Sequence, residues 1–322
     1  MERSGFIEHI FYACFFVVSG FVFLLTIVSV SGTVVEVYAG QTEQEVALAN
    51  NLERWNLPVF NMGAGLTYAA DARGLQGGIT NPASLARISS NQFSIEYQTW
   101  NEGWDLFSGG IARPLGAGSV FAIQVSWLDY GELTPDYDTQ LYRPQGNELK
   151  GGFTYTQAFH DRFSIGATVN AMSSKIGFRD RETEFSADLG LLFRPGESFW
   201  LGAVGKNLNG SLEIDDKENK LPPEYRLGAA YYVFQERLGI TVDATYREAI
   251  EDTGDEQIGM AGGIRLRLSP HFRFAAGYHS FDDQYDGYTG SVELMFPLFQ
   301  WQVAVVDNGE ESITRAGGTM KF

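Results

Sequence analysis

From residue 92 onward, apolar residues recur at every second position in one segment after another. In RLGITVDATYR, for example, Leu238, Ile240 and Val242 share one face, while Thr241 and Asp243 share the other. This period of two is typical of a β-strand that lies between an apolar and a polar environment. One such segment does not distinguish a sandwich from a barrel, because the strands of both folds alternate in this way.

The number and length of these segments favour a barrel. We predict about fourteen strands, most of them roughly nine to thirteen residues long, which is near the length that a tilted strand needs to cross a bilayer. Strands in sandwiches typically have about five or six residues. The predicted strands are residues 92–100, 104–114, 118–130, 147–159, 162–178, 182–194, 199–207, 223–234, 237–248, 256–268, 271–280, 287–296, 299–306 and 312–322.

The connections between the segments alternate in length. Tight turns such as HDR (160–162) and QER (235–237) follow even-numbered strands, whereas stretches such as 131–146 and 208–223 follow odd-numbered ones. Short turns on one side and long loops on the other are the pattern of bacterial outer-membrane barrels, whose short turns face the periplasm. The sequence therefore predicts an all-β fold, a transmembrane antiparallel β-barrel in the outer membrane of a Gram-negative cell.

The formal net charge of −17 excludes a typical nucleic-acid-binding protein, because phosphate recognition requires basic surfaces. Many of the acids fall in the predicted long loops. They fit either a solvated rim or a rim that binds divalent cations or a basic partner through carboxylate oxygens. The only cysteine, Cys14, lies in the N-terminal apolar stretch. We predict no nucleic-acid partner, no cofactor and no metal site.

The N-terminal stretch from Ile10 to Gly32 is the one long apolar run of the chain. Small residues occur at its end, Ser29 and Ser31, and again after it at Ala39. An apolar core that precedes small residues predicts a cleaved signal peptide, here residues 1–39. The run is also long enough to span a bilayer, so an uncleaved anchor is the alternative.

Charged residues lie on the polar faces of several predicted strands, where a barrel would point them into its lumen. Four of them are arginines on three consecutive predicted strands. They would form either an internal network of salt bridges or a site for the anionic head group of a ligand. The predicted lumen residues are Arg247, Arg265, Arg267, Arg273, Asp243, Asp188 and Glu293.

No catalytic motif stands out in the sequence. His279 lies beside Ser280 and close to Asp282, which supplies the residue types of a Ser–His–acid site without any recognisable spacing. Phosphate-binding loops, metal-spaced histidines and paired catalytic carboxylates are not evident. We predict that the protein is not an enzyme and has no catalytic residues.

The segment AADARGLQGGITNPASLA (69–86) resembles the N-terminal signature of the FadL-like outer-membrane proteins, in which Ala-Asp is followed by Asn-Pro-Ala-Gly-Leu. The phrases WLDYGEL, DRFSIGATVNAM, SADLGLLFRP and LPPEYRLGAAYY then occur in an order that is most similar to the PorV/PorQ branch. The resemblance covers residues 63–322. It implies a barrel with an N-terminal hatch inside it.

On this basis we divide the chain into a signal peptide (1–39), an N-terminal hatch segment (40–91) and a transmembrane barrel (92–322). The hatch residues that the motif singles out are Asp71, Asn81 and Pro82. Asparagine caps turns with its side chain, and proline fixes φ and stops a helix from continuing. These residues fit an ordinary structural turn or a direct contact with a ligand.

The resemblance also implies a function. We expect a FadL-like barrel that transports or binds hydrophobic or amphipathic small molecules across the outer membrane. The alternative is a PorV-like, secretion-associated barrel that docks cargo or secretion machinery, and a third possibility is a mainly structural barrel. The expected partners are outer-membrane lipid, the barrel assembly machinery, and a hydrophobic ligand or secretion components.

The sequence ends RAGGTMKF, which alternates like the segments before it and finishes on Phe322. A barrel has no free edge only if its last strand pairs with its first, so we expect this stretch to form the closing seam. The terminal aromatic is similar to an assembly signal of outer-membrane barrels. Deleting Phe322 should therefore reduce the amount of barrel assembled in the membrane before it changes any ligand binding. Quantifying assembled protein beside ligand affinity tests this, and normal assembly of the deletion variant would contradict it.

Overall fold

The computed structural model describes residues 52, 56–100, 104–131, 146–176, 182–214, 217–220, 222–248, 257–280, 286–307 and 312–322. The predicted signal peptide and most of the acidic loop residues lie outside this part of the chain. They stay predictions.

Fourteen antiparallel strands form a closed barrel, which confirms the predicted antiparallel β-barrel of about fourteen strands. The observed bounds differ from the predicted ones by only one or two residues, because the period-two pattern ends where each turn begins. The barrel strands are β1 Gln92–Trp100, β2 Asp105–Gly116, β3 Ser119–Asp129, β4 Gly146–Phe159, β5 Phe163–Ile176, β6 Glu182–Phe193, β7 Phe199–Leu208, β10 Glu224–Val233, β11 Leu238–Arg247, β12 Gln257–Ser269, β13 Phe272–Ser280, β14 Gly287–Met295, β15 Phe299–Asp307 and β16 Ser312–Lys321.

A small two-stranded sheet, β8 Ser211–Ile214 and β9 Lys217–Lys220, lies between β7 and β10. The sequence pattern predicts only a long loop here. Ser-Leu-Glu-Ile alternates like a strand, and two acidic residues separate it from β9. Two short strands joined by two residues form a hairpin, but four residues are too few to cross a bilayer.

The wall of the barrel is apolar outside and polar inside. In β11, Ile240 and Val242 are 47% and 53% exposed, while Thr241 and Asp243 between them are buried. The same alternation in β1 exposes Phe93 and buries Ser94. A soluble protein would place these faces the other way round, so the outer surface is suited to lipid.

The sheet is closed by β1 and β16, which pair along their whole length from Gln92–Lys321 to Trp100–Ile313. This confirms that the last segment pairs with the first. The amide N of Phe322 donates a hydrogen bond to the carbonyl O of Asn91 at 3.0 Å, and the Phe322 side chain is exposed. Its role as an assembly signal stays a prediction.

Residues 56–91, which we call the inner segment, lie against the inward faces of the strands. They contain α1 (Val59–Met62), α2 (Gly74–Thr80) and a 3₁₀ helix (Pro82–Arg87). Nearly all of their side chains are buried. Among the described residues, no helix has the length and apolar character needed to span a membrane.

Glycines on the inward faces of the strands let the backbone of the inner segment approach the wall. A Cβ atom added to Gly166 of β5 would lie 2.4 Å from the carbonyl C of Pro82. One added to Gly202 of β7 would lie 1.8 Å from the carbonyl O of Ala69. Any other residue would clash with this backbone, so the glycines determine where the inner segment lies.

One buried cation connects the strands of the seam. Arg315 of β16 donates from Nε to Oε2 of Glu96 at 2.8 Å and from Nη1 to Oε1 of Gln98 at 2.9 Å. Its Nη2 donates to Oγ of Ser108 in β2 at 3.0 Å. Arg315 is 0% exposed. Because water does not reach this side chain, its positive charge is compensated inside the protein, by the carboxylate of Glu96.

Replacing Arg315 with methionine should destabilise the barrel by about 3–5 kcal/mol, because the Glu96 carboxylate would stay buried without its cation. The double variant Arg315→Met/Glu96→Gln should recover part of this loss. Urea unfolding in lipid vesicles measures both free energies. Arg113→Gln, at an exposed position of β2, is the matched control. A double variant less stable than Arg315→Met alone would contradict the pairing.

Candidate functional site

The lumen is closed towards the long-loop end by a cluster of apolar side chains, which we call the apolar seal. Its members come from the inner segment and from wall strands near their long-loop ends. They include Leu57, Val59, Met62 and Leu66 of the inner segment and Leu106, Leu128, Tyr130, Val306 and Ile313 of the wall. All are buried, so the seal excludes water from this part of the lumen.

Below the seal, Asp71 connects the inner segment to β12. Nε of Arg265 donates to Oδ2 of Asp71, and Nε of Arg73 donates to Oδ1 at 3.2 Å. Arg265 also donates from Nη1 to the carbonyl O of Phe60 at 2.7 Å and lies over the Phe60 ring at 3.6 Å. Burial by itself raises the pKa of Asp71, but the charges of Arg265, Arg73 and Arg87 outweigh it and hold the pKa below its usual value.

A second carboxylate, Asp243 of β11, binds backbone rather than a single cation. Its Oδ2 accepts hydrogen bonds from the amide N of Tyr68 at 2.7 Å and of Ala69 at 2.9 Å. Nη1 of Arg226 lies 3.7 Å from the same oxygen and donates to the carbonyl O of Leu66 at 2.8 Å. Asp243 and Arg226 together fix residues 66–69 to the wall.

The other predicted lumen residues lie further apart. Arg273 pairs with Glu293, and Arg247 pairs with Glu224 at 2.6 Å. Asp188 accepts hydrogen bonds from Nδ2 of Asn170 and the amide N of Asn207, so it stabilises the wall between β5 and β7. Arg267 is partly exposed and donates to the carbonyl O of Gln235 in a tight turn.

The structure thus brings Arg265 and Asp243 to the inner segment but does not gather the predicted lumen residues into one site. Each of the carboxylates Asp188, Asp243 and Glu293 has a partner in the protein. This arrangement has the form of an internal network. Recognition of an anionic head group by these residues stays a prediction.

Asn81 and Pro82 form the turn between α2 and the 3₁₀ helix. Oδ1 of Asn81 accepts a hydrogen bond from the amide N of Ala83 at 3.0 Å, as a helix cap does. Its Nδ2 donates to the carbonyl O of Ala69 at 2.6 Å. The carbonyl O of Pro82 accepts from Oγ1 of Thr156 at 2.6 Å. These contacts account for the Asn-Pro dipeptide as part of the structure.

Several charged residues of the lumen were not among the predicted site residues. Glu224 and Arg226 alternate with the exposed Tyr225 and Leu227 in β10. The period-two pattern of this strand is therefore enough to predict that both charged side chains point into the lumen. Arg73 had no such signal, because the inner segment is irregular and its contacts are distant in sequence.

A cavity of about 400 Å³ lies at the tight-turn end, between the inner segment and the wall. Its lining mixes charged, amide and apolar side chains, among them Arg73, Gln76, Arg87, Glu96 and Trp200. The described residues contain no group of three or more histidine, cysteine or acidic side chains arranged to hold a metal ion.

No protein-family model and no curated protein matches the chain. Among solved structures, the Pseudomonas putida toluene transporter TodX matches with a TM-score of 0.60 at 12% identity, over 80% of this chain and 95% of that chain. The CymD monoaromatic hydrocarbon channel gives a TM-score of 0.57 at 14% identity, over 81% and 98%. A Pseudomonas aeruginosa FadL homologue gives 0.57 at 12%, over 81% and 97%.

At such low identity these likenesses show the fold alone. They show that this barrel has the fold of these solved structures, one of which is a FadL homologue. Membership of the FadL-like proteins stays a prediction from the sequence resemblance. The PorV/PorQ branch stays a prediction.

Asp71→Asn should destabilise the barrel by about 3–5 kcal/mol at neutral pH, because Arg265 would stay buried without its carboxylate. Since folding lowers the pKa of Asp71, its contribution is complete above the unfolded pKa of about 3.9 and is lost as the pH falls through the folded value. The free energy of unfolding should therefore fall less in the variant than in the wild type below about pH 4.

Denaturant unfolding across pH 2–7 measures this difference, and Asp161→Asn in an exposed tight turn is the control. Equal acid sensitivity of the wild type and Asp71→Asn would show that Asp71 does not stabilise the fold through its charge.

Proposed function

We propose that the protein is an outer-membrane barrel that passes small hydrophobic or amphipathic molecules, and that the inner segment is its hatch. The observation that carries this proposal is the apolar seal. Apolar side chains of β2, β3, β15 and β16 line the inward wall near its long-loop end, whereas a polar lumen is usual for a water-filled porin. An apolar molecule entering there would replace the contacts of Leu57, Val59 and Met62.

The orientation follows from the loops. Short turns of outer-membrane barrels face the periplasm, so the seal would lie on the outer side and the polar cavity on the periplasmic side. A molecule would first exchange with apolar side chains and then leave past a polar region. The named functions of the structural neighbours, a toluene transporter and hydrocarbon channels, support this class of cargo without identifying it.

Passage requires the inner segment to move, because it occupies the lumen. The segment contacts the wall through ion pairs such as Asp71–Arg265 and through close backbone contacts at glycines. If the inner segment moves, these contacts break together, which favours two discrete positions of the segment over a continuous range. The alternative, a PorV-like barrel that docks cargo or secretion machinery, stays a prediction from the sequence.

A reversible disulfide between the inner segment and the wall tests whether the inner segment has to move. Oγ1 of Thr67 in the inner segment lies 2.7 Å from Oγ1 of Thr241 in β11. Cysteine is close to threonine in size, and a disulfide needs its sulfur atoms about 2.05 Å apart, so Thr67→Cys/Thr241→Cys should cross-link with little distortion. Uptake of labelled toluene by intact cells should fall at least several-fold on oxidation and recover on reduction.

The single variants Thr67→Cys and Thr241→Cys are the controls, with Cys14 replaced by serine throughout. They separate the effect of the cross-link from that of each substitution. Equal uptake by the oxidised and reduced double variant would rule out a moving hatch. Uptake no faster than in cells without the protein would rule out transport of this cargo.

A further inference from the structure

The cavity at the tight-turn end lies at the boundary between the inner segment and the barrel wall. The inner segment contributes Arg73, Gln76 and Arg87, while strands and a turn contribute Glu96 and Glu236. Its volume of about 400 Å³ is in the range of sites for small molecules. A molecule bound here would contact the inner segment and the barrel wall at once. Its binding would therefore favour the position of the inner segment seen in this structure.

The lining carries a small excess of positive charge in a chain that is strongly acidic overall. The cations are Arg73, Arg87, Arg273 and Lys321, and the carboxylates are Glu96, Glu236 and Glu293. Arg273 pairs with Glu293, Arg73 lies 3.3 Å from Glu236, and Glu96 pairs with Arg315. These pairs leave Arg87 and Lys321 as cations of the lining without an ion pair to a described carboxylate, and Arg87 is the one that belongs to the inner segment.

Arg87 is held as a binding group would be. Its Nη1 and Nη2 donate to the carbonyl O atoms of Ala72 at 3.2 Å and Ala70 at 2.9 Å. Its guanidinium lies 3.9 Å from the centre of the Trp200 ring. The side chain is therefore fixed in orientation, and Asp71 and Glu236 act on its charge from a distance, without a direct ion pair. Fixed guanidinium groups of this kind recognise carboxylates.

Four buried polar atoms without hydrogen-bond partners belong to residues of the same lining. Both amide atoms of Gln76, Oε1 of Glu96 and Nε of Arg87 have no partner among the described residues. Gln76 is 4% exposed and Glu96 is 2% exposed. Folded proteins rarely leave such groups unsatisfied, because each costs about 1–3 kcal/mol. A ligand with acceptors and donors would satisfy them.

The turn at the mouth of the cavity is strained. Phe234, Gln235 and Glu236 all have positive φ, between 54° and 62°. Side chains other than glycine adopt this conformation at a cost, and strain of this kind is concentrated at functional sites. Here the strained backbone places Glu236 beside Arg73 on the lining.

We propose that this cavity binds a small monoanionic hydroxycarboxylate, whose carboxylate lies against Arg87 and whose hydroxyl groups reach Gln76 and Glu96. The guanidinium of Arg87 supplies the positive charge that pairs with this carboxylate. The unpartnered carboxylate oxygen of Glu96 accepts from a hydroxyl, and the amide of Gln76 both donates and accepts. This goes beyond passage of apolar molecules, because the bound molecule is polar and holds the inner segment in place.

D-Gluconate is the probe, with D-sorbitol as the analogue that lacks the carboxylate and hexanoate as the analogue that lacks the hydroxyl groups. Calorimetric titration of the full barrel in detergent should show gluconate binding at least about tenfold more tightly than either analogue, which corresponds to one charge-assisted hydrogen bond. Gluconate should also raise the unfolding temperature.

The decisive variant is Gln76→Met, which keeps the side-chain volume and removes the amide. It should unfold no more readily than the wild type, because it removes an unpartnered buried group, and its Kd for gluconate should rise about tenfold. Arg87→Gln should weaken gluconate and leave sorbitol unchanged. Arg162→Gln, in an exposed tight turn, is the matched control.

Three results would overturn the proposal: no binding of gluconate, binding of hexanoate as tight as that of gluconate, or an unchanged gluconate Kd in Gln76→Met. Toluene uptake is a separate measurement from gluconate binding. A barrel that passes toluene but does not bind gluconate would refute this inference alone, and the converse would refute the proposed transport alone.

Discussion

The pairing of β1 with β16 is the interaction on which the rest of the structure depends. Backbone amides and carbonyls that face lipid have no water to bind, so every strand of a membrane sheet needs a neighbour on both sides. The ladder from Gln92–Lys321 to Trp100–Ile313 supplies the last of these pairings. Arg315 reinforces the seam from inside by connecting Glu96, Gln98 and Ser108.

Closure has a consequence for the interior. The apolar faces of the strands turn outward, which leaves carboxylates, arginines and hydroxyls facing a narrow lumen. Such groups are costly to bury unless they are paired and hydrogen-bonded. The inner segment meets much of this requirement, since its amides bind Asp243 and its Asp71 binds Arg265. The glycines at its closest contacts with the wall, such as Gly202, make room for its backbone.

The lumen contains an apolar cluster and a polar cavity at different ends. Towards the long loops, side chains of the inner segment and the wall form the apolar seal. Towards the tight turns, charged and amide side chains surround a cavity. The same segment contributes to both, so a change in its position would alter the seal and the cavity together. This coupling links the proposed passage of apolar molecules to the proposed binding of a polar one.

The sequence by itself determined the barrel, its fourteen strands and the inward parity of residues such as Asp243 and Arg265. This was possible because period-two alternation and turn lengths are local properties of the chain. Only the tertiary structure decided which inward charges meet. Asp71 and Arg265 are 194 residues apart, and Arg73 and Gln76 lie in an irregular segment whose contacts follow no sequence period. The cavity likewise exists only where the inner segment meets the wall, because no single stretch of the chain forms it.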